Sequence, residues 1–169
     1  MTLQGKIKKK DRLISIDPSI NNLGLAIWDL DDKKLIAHLL IHPHKQFSDS
    51  EYDKSYSMCF IIREWKERYG VNRVICEVPD HWAVAGFEAR ETGSMVKLAF
   101  VCGMIYSLRF DLEEMKVVKP REWKGQLPKK VVANRLQDQY IQYGIDMTKL
   151  NENVMDAIGI GHYYIYGSV

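Results

Sequence analysis

The sequence predicts an α/β protein: a five-stranded mixed sheet, its first three strands antiparallel, with helices on both faces. Three observations lead there. Residues 13–28 read as strand, tight turn and strand, with Leu13, Ile14 and Ile16 answered by Leu25, Ala26, Ile27 and Trp28. A segment with helical periodicity then separates this hairpin from the next apolar strand, which makes the connection a crossover and the pairing parallel. Finally, 169 residues of which 46% are hydrophobic are enough to build one ordinary core.

Taken in order, residues 1–11 form a basic extension carrying Lys6, Lys8, Lys9 and Lys10. Such a run is a solvated tail or a weak phosphate-binding arm. The first strand is 13–17. Pro18, Ser19, Asn21, Asn22 and Gly24 supply turn chemistry before the second strand, 24–29. Asp31 and Asp32 turn the chain into a third strand, 34–41. The polar loop 42–49 holds His42 and His44, read as loop histidines without a third ligand. Residues 50–69 form a helix, since Tyr52, Tyr56, Cys59, Ile62 and Trp65 step by three and four. Gly70 closes it. Residues 71–78 are the fourth strand, stopped by Pro79. Residues 80–92 are polar and irregular and contain His81 and Trp82.

A second helix spans 93–109 and is apolar nearly all round, which predicts burial on more than one side, by the core or by a partner subunit. Residues 115–118 are the fifth strand, and 119–125 read as a basic loop with an aromatic residue. A third helix opens at Lys129 and Lys130 and ends before Gly144. The last spans 151–166, with Asn151 as N-cap. The whole chain, 1–169, reads as one domain, without repeats or linkers.

Composition narrows the function classes. A net charge of +2 does not by itself argue for nucleic acid, although acids gathered in one metal site would leave a more basic surface. Three cysteines without a CxxC pair support neither a disulfide framework nor a cysteine zinc site. They read as reduced, mostly buried thiols. No apolar stretch follows the basic N-terminus, and the run 98–108 is too short to span a bilayer, so the chain is expected to be cytoplasmic and not membrane-bound.

Two carboxylates end apolar strands: Asp17 on the first and Glu77 on the fourth. The order of elements is that of an RNase H-like domain, in which these strands are neighbours and the last helix begins near the same edge. Asp156 lies in the first turns of that helix, with Asn153 three residues earlier on the same face and Glu152 close to it. Taken singly, these are a turn Asp, a strand-end Glu and a helix N-terminal Asp. Together they would repel one another unless a cation bound. Oxygen ligands of this kind select Mg²⁺ or Mn²⁺. Such a cluster suits two-metal phosphodiester hydrolysis, with two ions per site about 3.5–4 Å apart.

Four stretches carry a family resemblance: Ile16-Asp17-Pro18-Ser19 with Gly24; Ile75-Cys76-Glu77; Lys119-Pro120-Arg121-Glu122-Trp123-Lys124; and Asn153-Val154-Met155-Asp156-Ala157-Ile158-Gly159-Ile160. In this order they resemble the RuvC family of Holliday junction resolvases. The resemblance implies a homodimeric, Mg²⁺-dependent endonuclease of a bacterial or phage-infected cell. It would cut two opposed strands of a four-way DNA junction and leave 5′-phosphate and 3′-hydroxyl ends. Asp17, Glu77 and Asp156 match the family's metal ligands, and Asn153 stands where a fourth ligand is usually Asp or His. Lys124 and Lys129 match basic catalytic positions. Arg121, Lys124, Lys129 and Lys130 would meet DNA, with His81 and Trp82 placed to stack on an opened base. The helix 93–109 matches the family's dimer helix. Three other readings are a broader branched-DNA nuclease, an RNA–DNA hybrid nuclease, and a junction-binding protein with weak or no cleavage. An actin-like ATPase or sugar kinase is excluded by length and by missing glycine-rich nucleotide motifs.

Overall fold

The computed structural model describes residues 10–47, 50–79 and 93–169. Five strands form one sheet: β1 (Arg12–Asp17), β2 (Leu23–Asp29), β3 (Lys34–Ile41), β4 (Arg73–Glu77) and β5 (Glu114–Val118), in the order β3-β2-β1-β4-β5. β1 pairs antiparallel with β2 and β2 with β3, while β4 runs parallel to both β1 and β5. The helices are α1 (Glu51–Tyr69), α2 (Ser94–Tyr106), the short α3 (Pro120–Trp123), α4 (Lys129–Tyr140) and α5 (Glu152–Tyr166). The mixed sheet and its antiparallel opening are as the sequence predicts.

Alternation along β1 sorts its side chains between two cores. Ile14 and Ile16 pack with Ile27, Met58, Ile62, Cys76, Val101 and Ile105 under α1 and α2. Leu13 faces the other way, with Trp28, Ile75, Trp123, Leu136, Ala157 and Ile158 under α4 and α5. Asp17 is two and four residues beyond Ser15 and Leu13, and Glu77 is two beyond Ile75. Both carboxylates therefore project toward α5. A one-residue register slip would turn Asp17 to the opposite face.

Gly70 closes α1 as expected, in the left-handed conformation at φ 61°, while Ser50, read as part of the helix, is its N-cap, its side chain accepting from Asp53 N at 3.1 Å. The main differences from the sequence reading are three. β4 is confined to Arg73–Glu77. α2 stops at Tyr106, where a tighter 3₁₀ turn over Ser107–Asp111 takes over. The stretch 119–125, read as a loop, contains α3. Pro120 sits at its first position, and Glu122 Oε2 accepts from Lys119 N at 2.5 Å, so both start signals of a helix were present. All three cysteines are free and buried. No described helix is long and apolar enough to cross a membrane.

Candidate active site

The β1–β4 register pairs Ile16 with Cys76, so Asp17 and Glu77 follow at adjacent C-terminal strand ends. α5 lies against the same face of the sheet, and three glycines let it approach closely. A methyl group on Gly24 would overlap the backbone of Asn153 at the start of α5. One on Gly159 would overlap the Trp123 ring, and one on Gly161 the Trp28 indole and Ser15. Polar contacts lock this seam. Trp28 Nε1 donates to Ser15 Oγ at 2.9 Å, and Ser15 Oγ donates to Ala157 O at 2.7 Å. Both groups are fully buried, where an unmade hydrogen bond would cost about 1–3 kcal/mol. Asn151 caps α5 by accepting from Asn153 N at 3.0 Å. Asp156, in the second turn, is thereby held at the strand ends.

The electrostatics follow from this crowding. Burial pushes the Asp17 carboxyl well above its ordinary range, and the fields of Glu77 and Asp156 push it further, against Lys124 and Lys129. Glu77 is also raised, first by burial; Lys124 and a hydrogen bond from Trp123 oppose the rise. Lys124 Nζ stands 3.2 Å from Asp156 Oδ2 and 4.0 Å from Glu77 Oε2, so one ammonium serves two carboxylates. Asp156 Oδ1 is buried without a partner among the described residues. Three carboxylates against Lys124 and the more distant Lys129 leave a surplus of negative charge in a partly dry place.

The remaining expected residues fall into distinct groups. Lys129 pairs with Glu152 at 2.8 Å, on the exposed rim. This contact, and then the fields of Asp156 and Asp17, raise its pKa. Glu152 therefore turns to Lys129 and is 73% exposed, not a member of the cluster. Asn153 Nδ2 donates to Asn22 O at 2.7 Å, tying α5 to the β1–β2 turn. A carbonyl can be met only by the NH₂ side of an amide, so this bond also fixes Oδ1 as the remaining acceptor. Arg121, in α3, and Lys130, at the start of α4, are exposed. His81 and Trp82 lie outside the described residues.

A divalent cation fits the chemistry of this donor set. Asp17, Glu77 and Asp156 offer hard oxygens, and the orphaned Asp156 Oδ1 is a buried acceptor that a cation would satisfy. With the side chains as placed, however, no three acidic, His or Cys groups among the described residues converge closely enough to enclose an ion.

The sequence reading quoted Trp123 within a motif but gave it no role. Its indole Nε1 donates to Glu77 Oε2 at 2.5 Å. A signal was available in Gly159 and Gly161, small residues inside an apolar helix at positions where large aromatic neighbours need room.

No protein-family model matches the chain, and no curated protein sequence matches it. Its structure does have close neighbours in shape. RuvC of Thermus thermophilus, solved in complex with a Holliday junction substrate, superposes with a TM-score of 0.71 at 17% identity, covering 93% of this chain and 94% of that one. Another T. thermophilus RuvC structure gives 0.68 at 16% identity, covering 92% and 95%. The yeast mitochondrial Holliday junction resolvase Ydc2 gives 0.55 at 11% identity, covering 95% and 82%. The TM-scores and the broad mutual coverage agree: this chain has the RNase H-like fold in the form found in RuvC.

Proposed function

We propose that this protein is a metal-dependent endonuclease that resolves four-way DNA junctions. The observation that carries the reading is the meeting of Asp17, Glu77 and Asp156 at one sheet edge with Lys124 among them. The likeness in fold to an enzyme solved with a Holliday junction supports this choice of substrate. Asp17, Glu77 and Asp156 would hold Mg²⁺, with Mn²⁺ able to substitute, and Asn153 Oδ1 is the remaining neutral oxygen for a fourth contact. The chemistry that a pair of such ions supplies is activation of the attacking water and stabilisation of the leaving oxygen.

The chain's own groups do the rest. The surplus negative charge of the carboxylates provides the attraction for cations. Lys124, only 17% exposed, would offset charge developing on the scissile phosphate in a partly desolvated setting. Lys129 extends that positive rim, and Arg121 and Lys130, both exposed, would bind flanking phosphates. Hydrolysis would leave 5′-phosphate and 3′-hydroxyl ends.

Cutting two opposed strands requires two sites, which a homodimer supplies. The surface formed by α1 and α2 supports that assembly. Tyr52, Tyr56 and Phe60 on α1 and Val96 on α2 are each more than half exposed, and Tyr52 meets Phe100 edge-on at 4.8 Å. Apolar surface of this kind is the ordinary mark of a partner site.

The test is cleavage of a synthetic four-way junction with Mg²⁺ or Mn²⁺, beside linear duplex and RNA–DNA hybrid. Paired nicks in the junction with intact duplex support the reading. Equal cutting of duplex, or cleavage of hybrid by a monomer, would overturn it. A broader branched-DNA nuclease would also cut flaps and three-way forks. Tight junction binding without cleavage in either metal would leave a binding protein.

A further inference from the structure

We propose that Trp123 is a positioning residue of this site: its indole N–H orients Glu77 for a divalent cation, and its ring seats the Lys124 ammonium. The proposal rests on the metal-dependent reading above and names a residue that acts through Glu77.

The geometry is built from three sides. Glu77 pairs across the sheet with Val118, the last residue of β5, so α3 starts beside the end of β4. Pro120 and the Glu122 contact to Lys119 N set the direction of that single helical turn. Trp123, at its end, is 3% exposed, and its ring lies in the slot left by Gly159 on α5. From there Nε1 reaches Glu77 Oε2 at 2.5 Å, while Lys124 Nζ sits 4.6 Å from the ring centroid. One side chain thus contacts the strand carrying Glu77, the helix carrying Asp156, and the lysine between their carboxylates.

The choice of an indole has a chemical reason. Indole N–H donates only and does not ionise in the ordinary pH range. It can fix a carboxylate without adding charge, whereas an Arg or Lys in its place would add a second positive charge beside Lys124 and cancel more of the charge a cation needs. The bond occupies Oε2 and leaves Oε1 without a hydrogen bond among the described residues. Partners that orient a ligating carboxylate in this way commonly change metal affinity by about 10–100-fold when removed. The ring face adds a cation–π contact that holds the ammonium close to Asp156.

Trp123→Phe removes the N–H and keeps most of the ring. Mn²⁺ binding to the full chain, followed by electron paramagnetic resonance of the free ion, should weaken about tenfold or more. Far-UV circular dichroism should be unchanged. A folded Trp123→Phe protein with wild-type Mn²⁺ affinity overturns the proposal and leaves the metal reading standing. Wild-type protein whose Mn²⁺ binding is absent, or is unaffected by Asp17→Asn, overturns both. If Trp123→Phe does not fold, the indole N–H resonance of Trp123 in wild-type protein decides. It should move on Mg²⁺ addition and stay fixed in Asp17→Asn; a resonance indifferent to Mg²⁺ in wild-type protein overturns the proposal.

Discussion

At their N-terminal ends β1 and β4 carry Arg12 and Arg73; at their C-terminal ends they carry Asp17 and Glu77. At the first end Arg73 is neutralised locally. Arg73 donates to Asp11 and to Glu114, each at 2.7 Å, and Tyr164 donates to the same Glu114 oxygen at 2.5 Å. Tyr164 and Arg73 together hold Glu114 below the usual carboxylate range. At the second end burial and mutual repulsion raise Asp17 and Glu77. The strands are the same and the charges opposite in their effect. One end is arranged for stability. The other keeps uncompensated charge, which costs stability and is useful only to a cation or a substrate.

Breaking the charged cluster should give the largest effect. Asp17→Asn, Glu77→Gln and Asp156→Asn should each lower junction cleavage by about a hundredfold or more, several kcal/mol of lost transition-state stabilisation, with junction binding kept. Single-turnover cleavage and gel-shift titration check this. The same Asp17→Asn change should make the protein more stable at neutral pH. The sign follows from linkage: for a carboxyl raised in the folded state, stability is full below its ordinary value of 3.8 and is lost as pH rises through the raised one. Denaturant melts across that range should show wild type falling behind the variant as pH rises. Glu114, with the opposite shift, stabilises at neutral pH and loses its contribution on acidification.

Lys124→Met comes next. Removing the ammonium between Glu77 and Asp156 should slow cleavage by about tenfold to a hundredfold while adding Mg²⁺ still stabilises the fold against heat. A variant with unchanged turnover would take Lys124 out of the chemistry.

At the opposite end, Arg73→Met should cost about 1–2 kcal/mol in denaturant unfolding, a modest figure because the side chain is 29% exposed. Cleavage per folded molecule should not change. If it does, the two ends are coupled and the contrast between them is wrong. The smallest effect is expected from Asn153→Asp. By sequence alone this substitution restores a commoner acidic ligand and should be tolerated or activating. In the structure it replaces the donor to Asn22 O with an acceptor, so a stability loss of about 1 kcal/mol should accompany any change in activity. Thermal melts with and without Mg²⁺ separate the two contributions.

Much of the fold was legible because its signals are local. Strand alternation in 13–17, the turn residues 18–24 and the helical steps of Tyr52, Tyr56, Cys59 and Ile62 need only neighbours to be read. The carboxylates were legible because a charged residue ending an apolar strand is chemically out of place. α3 was hidden by its length, since four residues carry no periodicity. Helical spacing places Glu152 close to the face of Asp156 but does not give its partner, Lys129, which arrives from another helix.

The sequence by itself determined the order of elements, the residues that end the two central strands and the chemical type of the donor set. Those depend on composition and on periods of two and 3.6. Only the tertiary structure decided that Ser15, Asp17 and Glu77 share the face on which α5 lies, and that Gly24, Gly159 and Gly161 let α5 approach closely enough to bring Asp156 there. It also decided that Trp123 and Lys124, distant in sequence from Asp17 and Glu77, hold two of the three carboxylates. Close packing and long-range hydrogen bonds fix side-chain partners only when separate elements meet, and no local pattern encodes that meeting.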